Sequence, residues 1–534
     1  MAYRFSNLMA AFLFTGHSLC ACAAAARSLG EPVFPLSSPG PASSVFEVRA
    51  NGVPVPVIAF KDIHYAHFTM AGAVKIEVLV KAGAAKQARV QPTPYGIAAT
   101  VSGNRVLFEL PQPKQIVVQI GFFEKLFLFA EPPAEPAPAQ AVNAVSAGAV
   151  GDGTTDNTAA LQAAINALPR KGTLVIPAGH FRSGSLLLHS DMTLHLAPGA
   201  LLQASDDYTR IRPIPSVPSM IAFLVAENVA NLTVSGYGTI DANGFVVRRA
   251  YEKAENIKKK PGRALFVRNS QNITLRGITV RDSYSWNIAA QFVDTLAITD
   301  VKILSDVRLS NHDGLDLESC KDVRVSDCFI FSEDDGLTPK ARAGREIVEN
   351  YTFRNCVIWA HKANGIRVGS ESACRTLRNM TFENIYILNC ADGIRLDTTE
   401  GAVFENIIFR NVWMEDFLQF YDDRFERNRE RKAIHPSRSI VFYVTHSEIR
   451  GKRTPLGRIR NITFDNVHWD DDRVPAYLML PKAIKQFAEE TKQTPLIDTV
   501  RFSGCTRSGK PIKGPADAGF LANDTALMSG FTFN

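Results

Sequence analysis

Apolar and polar residues alternate in short segments over residues 45–130, and turn residues separate these segments. Representative segments are VFEVRAN, VKIEVLV and RVLFEL. A period of two places alternate side chains on one face of a strand, so each strand has one face to bury. The pattern predicts a small β-sandwich over residues 45–130. His64 and His67 are expected to face opposite sides of one of its strands, and to pack rather than bind a ligand.

A different pattern begins near residue 231, where similar segments such as NITLRGITV, NYTFRNCVIW and NMTFENIYIL recur. Taking one residue of each unit as equivalent gives steps of 23, 27, 28, 29 and 22 residues for Ile273, Leu296, Val323, Tyr351, Met380 and Ala402. Units this short cannot bury their own apolar face and must stack on one another. The repeats therefore predict an all-β fold, a right-handed parallel β-helix over residues 143–534 preceded by the sandwich.

An amphipathic helix is predicted within residues 148–168, after a Gly-rich turn. Either Asp156 or Thr158 is expected to cap it. One face of the helix carries Ala160, Leu161, Ala164, Ile165 and Leu168. This helix is expected to close the N-terminal end of the β-helix.

The remaining segments set the predicted domain boundaries. Residues 1–26 have the basic, apolar and small-residue layout of a secretory signal. A lipoprotein anchor on Cys22 is the alternative. Residues 27–44 are interpreted as a linker, and residues 131–142 as a stiff Pro/Ala linker. The protein is accordingly expected to be secreted or periplasmic.

Two insertions interrupt the repeats. Residues 420–437 are highly charged, and residues 475–495 have a partly helical pattern. Insertions in a stacked-repeat fold project from one side, where they often border a binding groove. A solvated loop is an equally good interpretation of each.

Composition excludes several classes of protein. The 59 basic and 53 acidic residues are nearly balanced and form no long basic run, so nucleic-acid binding is not expected. No stretch after the N-terminal segment approaches the roughly 20 apolar residues of a membrane span. Six cysteines outside that segment form no CxxC pair, so neither a metal nor another cofactor is expected. A monomer is expected.

The cysteines and the N-x-T sequons both follow the repeat. Three cysteines each lie five residues after an anchor position, which favours buried thiols over disulfides. They are Cys328, Cys356 and Cys505. Most of the six sequon asparagines lie at one point of the repeat, which favours a structural turn over glycosylation. They are Asn231, Asn272, Asn350, Asn379, Asn461 and Asn523.

The candidate chemistry lies between Asn311 and Lys340. Asp313 precedes the pair Asp334 and Asp335 by 21 residues, close to one step of the repeat. Adjacent coils would bring the three carboxyl groups together, and their mutual repulsion would raise the pKa of one of them. An acid and a base across a cleft are the groups that glycoside hydrolysis needs. A calcium site or a plain turn, which Gly336 permits, is the alternative.

Residues 145–510 resemble glycoside hydrolase family 28, the polygalacturonase family. The segment GAVGDGTTDNTAALQAAI is similar to the opening segment of that family. Asn311-His312-Asp313 resembles its N-T-D motif, and Asp334-Asp335-Gly336 its D-D motif. The segments 364–370 and 393–397 lie where that family has G-H-G followed by G-S, and R-I-K.

The resemblance implies single-displacement hydrolysis with inversion. Asp334 would protonate the leaving oxygen, and Asp313 and Asp335 would activate the water. Asn311 would orient this group. Lys340 and Arg395 would bind the substrate beside the cleaved bond.

Two positions depart from the motifs. Asn364 replaces the motif histidine, whose supporting role is either missing or taken by a neighbour such as His361. Asp397 replaces the motif lysine and would repel a uronate. Arg367 either supplies the lost positive charge or is a salt-bridged surface residue.

Four functions follow from these observations. The first is a secreted inverting hydrolase of an α-linked pectic polysaccharide. The preceding sandwich is also similar to family 49, the dextranase group, which implies a neutral α-glucan as an alternative substrate. The others are a β-helix that only binds polysaccharide, and a lyase. Endo or exo cleavage, the sugar, and the role of the sandwich stay open.

Overall fold

A computed structural model of the chain describes residues 33–36, 39–81, 83–121, 125–133, 140–258, 260–417, 437–446, 448–449, 452–479, 482–490, 492–522 and 528–534. The predicted signal segment, the insertion at 420–436 and Asn523 lie outside the described residues. Within the described residues, no helix combines the length and the apolar character needed to cross a membrane.

The first eleven strands form two packed sheets with one buried core. One sheet has the order β1-β5-β11-β10-β7, with β4 beside β5, and the other has the order β3-β2-β6-β9-β8. The strands are β1 Val33–Pro35, β2 Phe46–Ala50, β3 Val53–Val55, β4 Val57–Phe60, β5 Ile63–Met70, β6 Val74–Val80, β7 Ala88–Gln91, β8 Thr100–Ser102, β9 Arg105–Leu110, β10 Lys114–Ile120 and β11 Lys125–Glu131, with a 3-10 turn at Thr93–Tyr95. The linker predicted over 27–44 is wrong at β1, because Val33 pairs with Met70 of β5.

The two histidines of β5 face opposite sides, as predicted. The His64 ring contacts Phe46 of the sandwich edge-on, with ring centroids 5.2 Å apart. The His67 ring contacts Phe129 and also Tyr237 of the second domain, at 6.1 and 5.5 Å. Both side chains are buried.

The second domain is the predicted right-handed parallel β-helix. Its strands are β12 Val142–Asn143, β13 Asp152–Asp156, β14 Gly172–Ile176, β15 Gly179–Ser183, β16 Leu186–Leu187, β17 Met192–Leu196, β18 Ala200–Ala204, β19 Pro213–Ile214, β20 Val217–Glu227, β21 Ala230–Ser235, β22 Thr239–Asp241, β23 Gly262–Arg276, β24 Thr279–Arg281, β25 Ile288–Thr299, β26 Lys302–Leu304, β27 Leu315–Glu318, β28 Lys321–Ser326, β29 Phe329–Ser332, β30 Leu337–Lys340, β31 Ile347–Arg354, β32 Val357–Ala360, β33 Asn364–Ser370, β34 Thr376–Asn389, β35 Asp392–Thr398, β36 Val403–Met414, β37 Arg438–Val444, β38 Glu448–Ile449, β39 Lys452–Arg453, β40 Arg458–Trp469, β41 Tyr477–Met479, β42 Ile497–Ser503, β43 Thr506–Arg507, β44 Lys510–Pro511, β45 Leu521–Ala522 and β46 Met528–Phe533.

Within the described part of the chain, three α-helices accompany these strands: α1 Thr158–Asn166, α2 Gly244–Ala254 and α3 Lys482–Glu490, with a second 3-10 turn at Tyr208–Arg210. Helix α1 confirms the predicted amphipathic helix and packs against the first coils through Leu161 and Ile165. The predicted cap is wrong, because the N-cap is Asn157 and not Asp156 or Thr158. The Asp156 carboxylate accepts a hydrogen bond from the Thr158 N–H at 3.0 Å from one position earlier. Helix α3 confirms the helical part of the second insertion.

The strand register confirms most of the predicted repeat. Ile273, Leu296, Val323, Tyr351 and Met380 pair in succession from β23 to β34. The last predicted step is wrong, because Met380 pairs with Ile407 and not with Ala402. Both candidates are buried apolar residues, so the apolar pattern does not distinguish them.

Asparagine side chains mark the correct register. Asn272, Asn379 and Asn461 have positive φ angles of 55°, 56° and 54°. Asparagine amides at this point of the repeat donate to the asparagine one coil earlier. Examples are Asn379 to Asn350 at 3.3 Å and Asn406 to Asn379 at 3.2 Å. The predicted turn role is thus confirmed for the described sequon asparagines. The six cysteines from Cys320 onward are free and buried, which confirms the predicted thiols.

The sandwich packs on the β-helix through a buried interface. The rings of Phe127 and Phe329 lie 4.9 Å apart. Lys302 of β26 is fully buried, and its Nζ lies 2.9 Å from Oε1 of Glu131, the last residue of β11. Glu131 therefore belongs to the sandwich and to its interface, not to the predicted linker.

Candidate active site

The three aspartates lie on adjacent coils, as the spacing predicts. Asp313 directly precedes Gly314 and β27, and the pair Asp334–Asp335 lies in the bend between β29 and β30. The coils are joined at this point, because the Gly314 N–H donates to the Asp335 carbonyl at 2.7 Å. A Cβ on Gly314 would approach the Gly336 carbonyl oxygen to 2.6 Å, so the close approach requires glycine.

Asp334 is the only partly exposed member of the three. Its Oδ2 lies 3.5 Å from Nδ2 of Asn311, and its Oδ1 accepts a hydrogen bond from the Asp335 N–H at 3.0 Å. Burial, together with the charges of Asp335 and Glu333, raises the pKa of Asp334 to about 7. This carboxyl group can therefore carry a proton near neutral pH while it stays partly exposed to solvent.

Asp335 is buried and held from two sides. The Asn364 backbone N–H donates to its Oδ1 at 3.1 Å, and Nη1 of Arg367 donates to its Oδ2 at 3.1 Å. Burial acts to raise the pKa of Asp335, but Arg367 and the Asn364 amide outweigh it, and the pKa is lowered. The buried charge is thus paired, which removes most of the cost of burying it.

The structure gives the supporting contact to Asn364, at the position of the motif histidine. Its side-chain amide also donates to Asp335 Oδ1. The His361 ring lies 6.5 Å from the ring of Phe331, a residue of the interface with the sandwich. A supporting role for His361 stays a prediction.

Asp313 is buried beside a second carboxylate, Asp316. Burial, followed by the charges of Asp316 and Asp334, raises the pKa of Asp313 well above its ordinary value. Nζ of Lys340 lies 3.9 Å from Asp313 Oδ2 and 2.7 Å from Asp316 Oδ1. The ammonium group also lies 3.9 Å from the Trp286 ring centroid.

The Lys340 side chain is only 3% exposed and is enclosed by Asp313, Asp316 and Glu371. Its ammonium group compensates the charges of Asp313 and Asp316. Contact of Lys340 with substrate stays a prediction. Asp316 and Glu371 are not among the site residues predicted from the sequence. Asp316 could have been identified, because an acidic residue within a buried strand such as Leu315–Glu318 requires a buried cation as its partner.

A series of alternating charges continues across the next coils. Arg367 bridges Asp335 and Asp397, and its Nη2 lies 2.8 Å from Asp397 Oδ2. Nε of Arg395 lies 3.0 Å from the same Oδ2. The full series is Asp335, Arg367, Asp397, Arg395, Asp392 and Arg438. Asp397 is buried and paired with two guanidinium groups, so it does not present the uncompensated charge expected from the sequence.

Comparison with known proteins identifies a family match for part of the chain. The family model described as glycosyl hydrolases family 28 matches residues 170–421. A probable polygalacturonase of Vitis vinifera is 28% identical over 302 residues, which cover 52% of this chain and 61% of that protein. The chain thus spans less than two thirds of the length of this relative. The resemblance to family 28 is confirmed for residues 170–421.

Two solved structures share the fold. The polygalacturonase from Erwinia carotovora ssp. carotovora aligns with a TM-score of 0.56 at 19% identity, over 75% of this chain and 99% of that one. Dex49A from Penicillium minioluteum aligns with a TM-score of 0.59 at 11% identity, over 94% of this chain and 96% of that one. The second alignment confirms the expected likeness to family 49 at the level of the fold.

Proposed function

We propose that this chain is an inverting glycoside hydrolase that cleaves α-glycosidic bonds in a pectic-type polysaccharide. The observation that carries the proposal is one patch with three carboxyl groups of different pKa, in a domain that matches family 28. The N-terminal layout of residues 1–26 supports secretion.

In the proposed mechanism Asp334 is the general acid. It carries a proton near neutral pH and is the most accessible of the three, so it protonates the leaving oxygen as the glycosidic bond breaks. Asn311 orients it. Asp335 is ionised and positions the water, and Asp313 shares with it the uptake of the proton that the water loses.

The charge of Asp334 raises the pKa of Asp313. Asp313 and Asp334 therefore act as a coupled pair, in which a proton on one group favours ionisation of the other. When the shared proton is on Asp334, Asp313 is ionised and can accept the proton from water. After the reaction the proton returns from Asp313 to Asp334 through the groove. One proton thus enters the leaving group, one leaves the water, and the pair is restored.

A neutral α-glucan is the second candidate substrate. The observation that favours it is that the positive charges of Arg367 and Arg395 are largely compensated. Their partners are Asp335, Asp392 and Asp397. A uronate carboxylate would therefore gain less binding energy from these paired arginines than from an unpaired lysine.

The test is release of reducing sugar from polygalacturonan, rhamnogalacturonan, xylogalacturonan, dextran and pullulan. Asp334→Asn is expected to lose about a hundredfold or more in kcat at pH 5, as loss of a general acid predicts. Glu333→Gln is the matched control, because Glu333 is the adjacent acid but is bound to Lys362 at 2.9 Å. NMR of the first product anomer tests inversion.

Activity on a pectic polymer that Asp334→Asn lacks and Glu333→Gln keeps would support the proposal. Activity on dextran or pullulan alone would replace it with the neutral-glucan function. Full activity of Asp334→Asn, or a product of retained configuration, would refute the mechanism. Products that absorb in the ultraviolet would indicate a lyase instead.

A further inference from the structure

A second concave site lies between the sandwich and the β-helix. Its cavity of about 520 Å³ is lined by Tyr95 and Lys114 of the sandwich, and by Asp327 and Asn355 of the β-helix. Asp327 precedes strand β29 and Asp334 follows it. The cavity and the three aspartates are thus at opposite ends of the same strand, and they share no residue.

The walls of the cavity are fixed before any ligand arrives. The Gln115 amide donates to the Asp327 carbonyl at 2.9 Å and to Asp300 Oδ1 at 3.1 Å, which ties the sandwich to two coils. Buried aromatic contacts such as Phe127 against Phe329 hold the domains beside it. A cavity of this volume at a domain interface is the usual setting of a small-ligand site. Binding there needs little ordering of the protein.

The lining combines aromatic rings with groups that donate and accept hydrogen bonds. Tyr95 and Tyr237 supply rings, and Lys114, Arg276 and Asn355 supply donors, while carboxylates and amide oxygens accept. A sugar ring needs both, because its hydroxyl groups donate and accept and its C–H face packs on aromatic carbon. Some of these groups are already paired, such as Nδ2 of Asn355 with Oδ1 of Asp327 at 3.0 Å. Amides and carboxylates have more than one hydrogen-bonding position, so the cavity still favours a polar ligand.

The charges that line the cavity cancel near neutral pH. Two cations, Lys114 and Arg276, and three carboxyl groups, Glu131, Asp300 and Asp327, line it. Burial raises the pKa of Asp300 to about 8, so this group is mostly uncharged at neutral pH, and the remaining lining charges are two of each sign. A strongly charged ligand would gain no net electrostatic attraction from balanced charges. An uncharged polyol would find both hydrogen-bond donors and hydrogen-bond acceptors.

We propose that this junction cavity binds an uncharged sugar unit of a polysaccharide, at a site separate from the cleaving groove. The sandwich then serves as half of a glycan-binding site. The inference does not depend on the proposed hydrolysis, because binding at the cavity uses none of the three aspartates.

The test is affinity electrophoresis of the full chain carrying Asp334→Asn, so that the polymer in the gel is not cleaved. The probes are dextran and arabinogalactan as neutral polymers, and polygalacturonan as the charged comparison. Tyr95→Ala is expected to weaken retardation by a neutral polymer about tenfold, whereas Tyr95→Phe keeps the ring and stays within about twofold.

A second pair of variants controls for folding. Asn355 lines the cavity, and Asn384 is its hydrogen-bonded neighbour on the next coil, with Nδ2 of Asn384 3.0 Å from Oδ1 of Asn355. Both have a φ of 55°, so glycine fits at either position. Asn355→Gly is expected to weaken binding about threefold or more, and Asn384→Gly to leave it unchanged.

Retardation by a neutral polymer that both cavity variants reduce would support the proposal. No retardation by either neutral polymer, equal retardation of parent and Tyr95→Ala, or retardation by polygalacturonan alone would overturn it. If the unmodified chain releases no reducing sugar but still binds the polymer at the cavity, only the hydrolase function would be refuted.

Discussion

Arg367 binds Asp397 one coil away, with Nη2 of the arginine 2.8 Å from Oδ2 of the aspartate. The other guanidinium nitrogen, Nη1, binds Asp335 at 3.1 Å. The residue that replaces the motif lysine is therefore coupled through one arginine to the carboxylate proposed to position the water. A change at position 397 is expected to alter both substrate charge preference and the setting of Asp335.

Removing the charge of Asp397 should favour an acidic substrate. In Asp397→Asn the two arginines lose the anion that they share. Arg367 keeps Asp335 as a partner, and Arg395 keeps Asp392. KM for polygalacturonan is expected to fall about fivefold at low ionic strength, with a smaller change in kcat. Steady-state kinetics at two salt concentrations measures this. Asp465→Asn, which removes an exposed carboxylate paired with Arg410, controls for net charge. An unchanged or higher KM in Asp397→Asn would contradict the prediction.

The pH profile should report the proton on Asp334. A general acid is active while protonated, so kcat is expected to fall as the pH rises through about 7, the pKa to which Asp334 is raised. The charge of Glu333 contributes to that rise. In Glu333→Gln the falling limb should therefore move to lower pH while activity at pH 5 is retained. A limb that does not move, in kcat measured from pH 4 to 9, would argue against Asp334 as the acid.

The asparagine turns should depend on both backbone conformation and side chain. Asn379 has a φ of 56° and makes ladder bonds with Asn350 and Asn406. Asn379→Ala is expected to lower the free energy of unfolding by about 1–2 kcal/mol through the left-handed conformation alone, in addition to the lost bonds. Asn379→Gly loses only the bonds. Urea unfolding of the two variants should rank glycine above alanine, and the reverse order would show that the backbone conformation is not the cause.

The junction between the domains should depend on one buried ion pair. Lys302 is fully buried against Glu131, and removing one partner leaves an uncompensated charge. Lys302→Met is expected to lower the free energy of unfolding by about 3–5 kcal/mol. The double variant Lys302→Met/Glu131→Gln should recover most of that loss, because both charges are gone. Equal losses in the single and the double variant, measured by urea unfolding, would mean that packing and not charge is responsible.

The apolar periodicity was sufficient to predict both domains. Alternation with period two and steps near 27 residues reflect a physical need, since each strand has one face to bury and each coil must stack. The same periodicity predicted that Asp313 and the pair Asp334–Asp335 lie on adjacent coils. It failed at Ala402, because Ala402 and Ile407 are both buried and only the asparagine ladder separates them. It also missed β1, whose three residues carry too little pattern to be distinguished from a linker.

The sequence by itself determined the fold class, the stacking of the coils and the identity of the three clustered carboxyl groups. Tertiary structure alone decided which charges are compensated. The ion pair of Lys340 with Asp313, the contact of Asn364 with Asp335 and the pairing of Asp397 with Arg367 join side chains about 30 residues apart. Side-chain direction and burial across coils are not encoded in any local pattern, and they set the pKa of each group. The junction cavity likewise exists only because two separately predictable domains pack against each other.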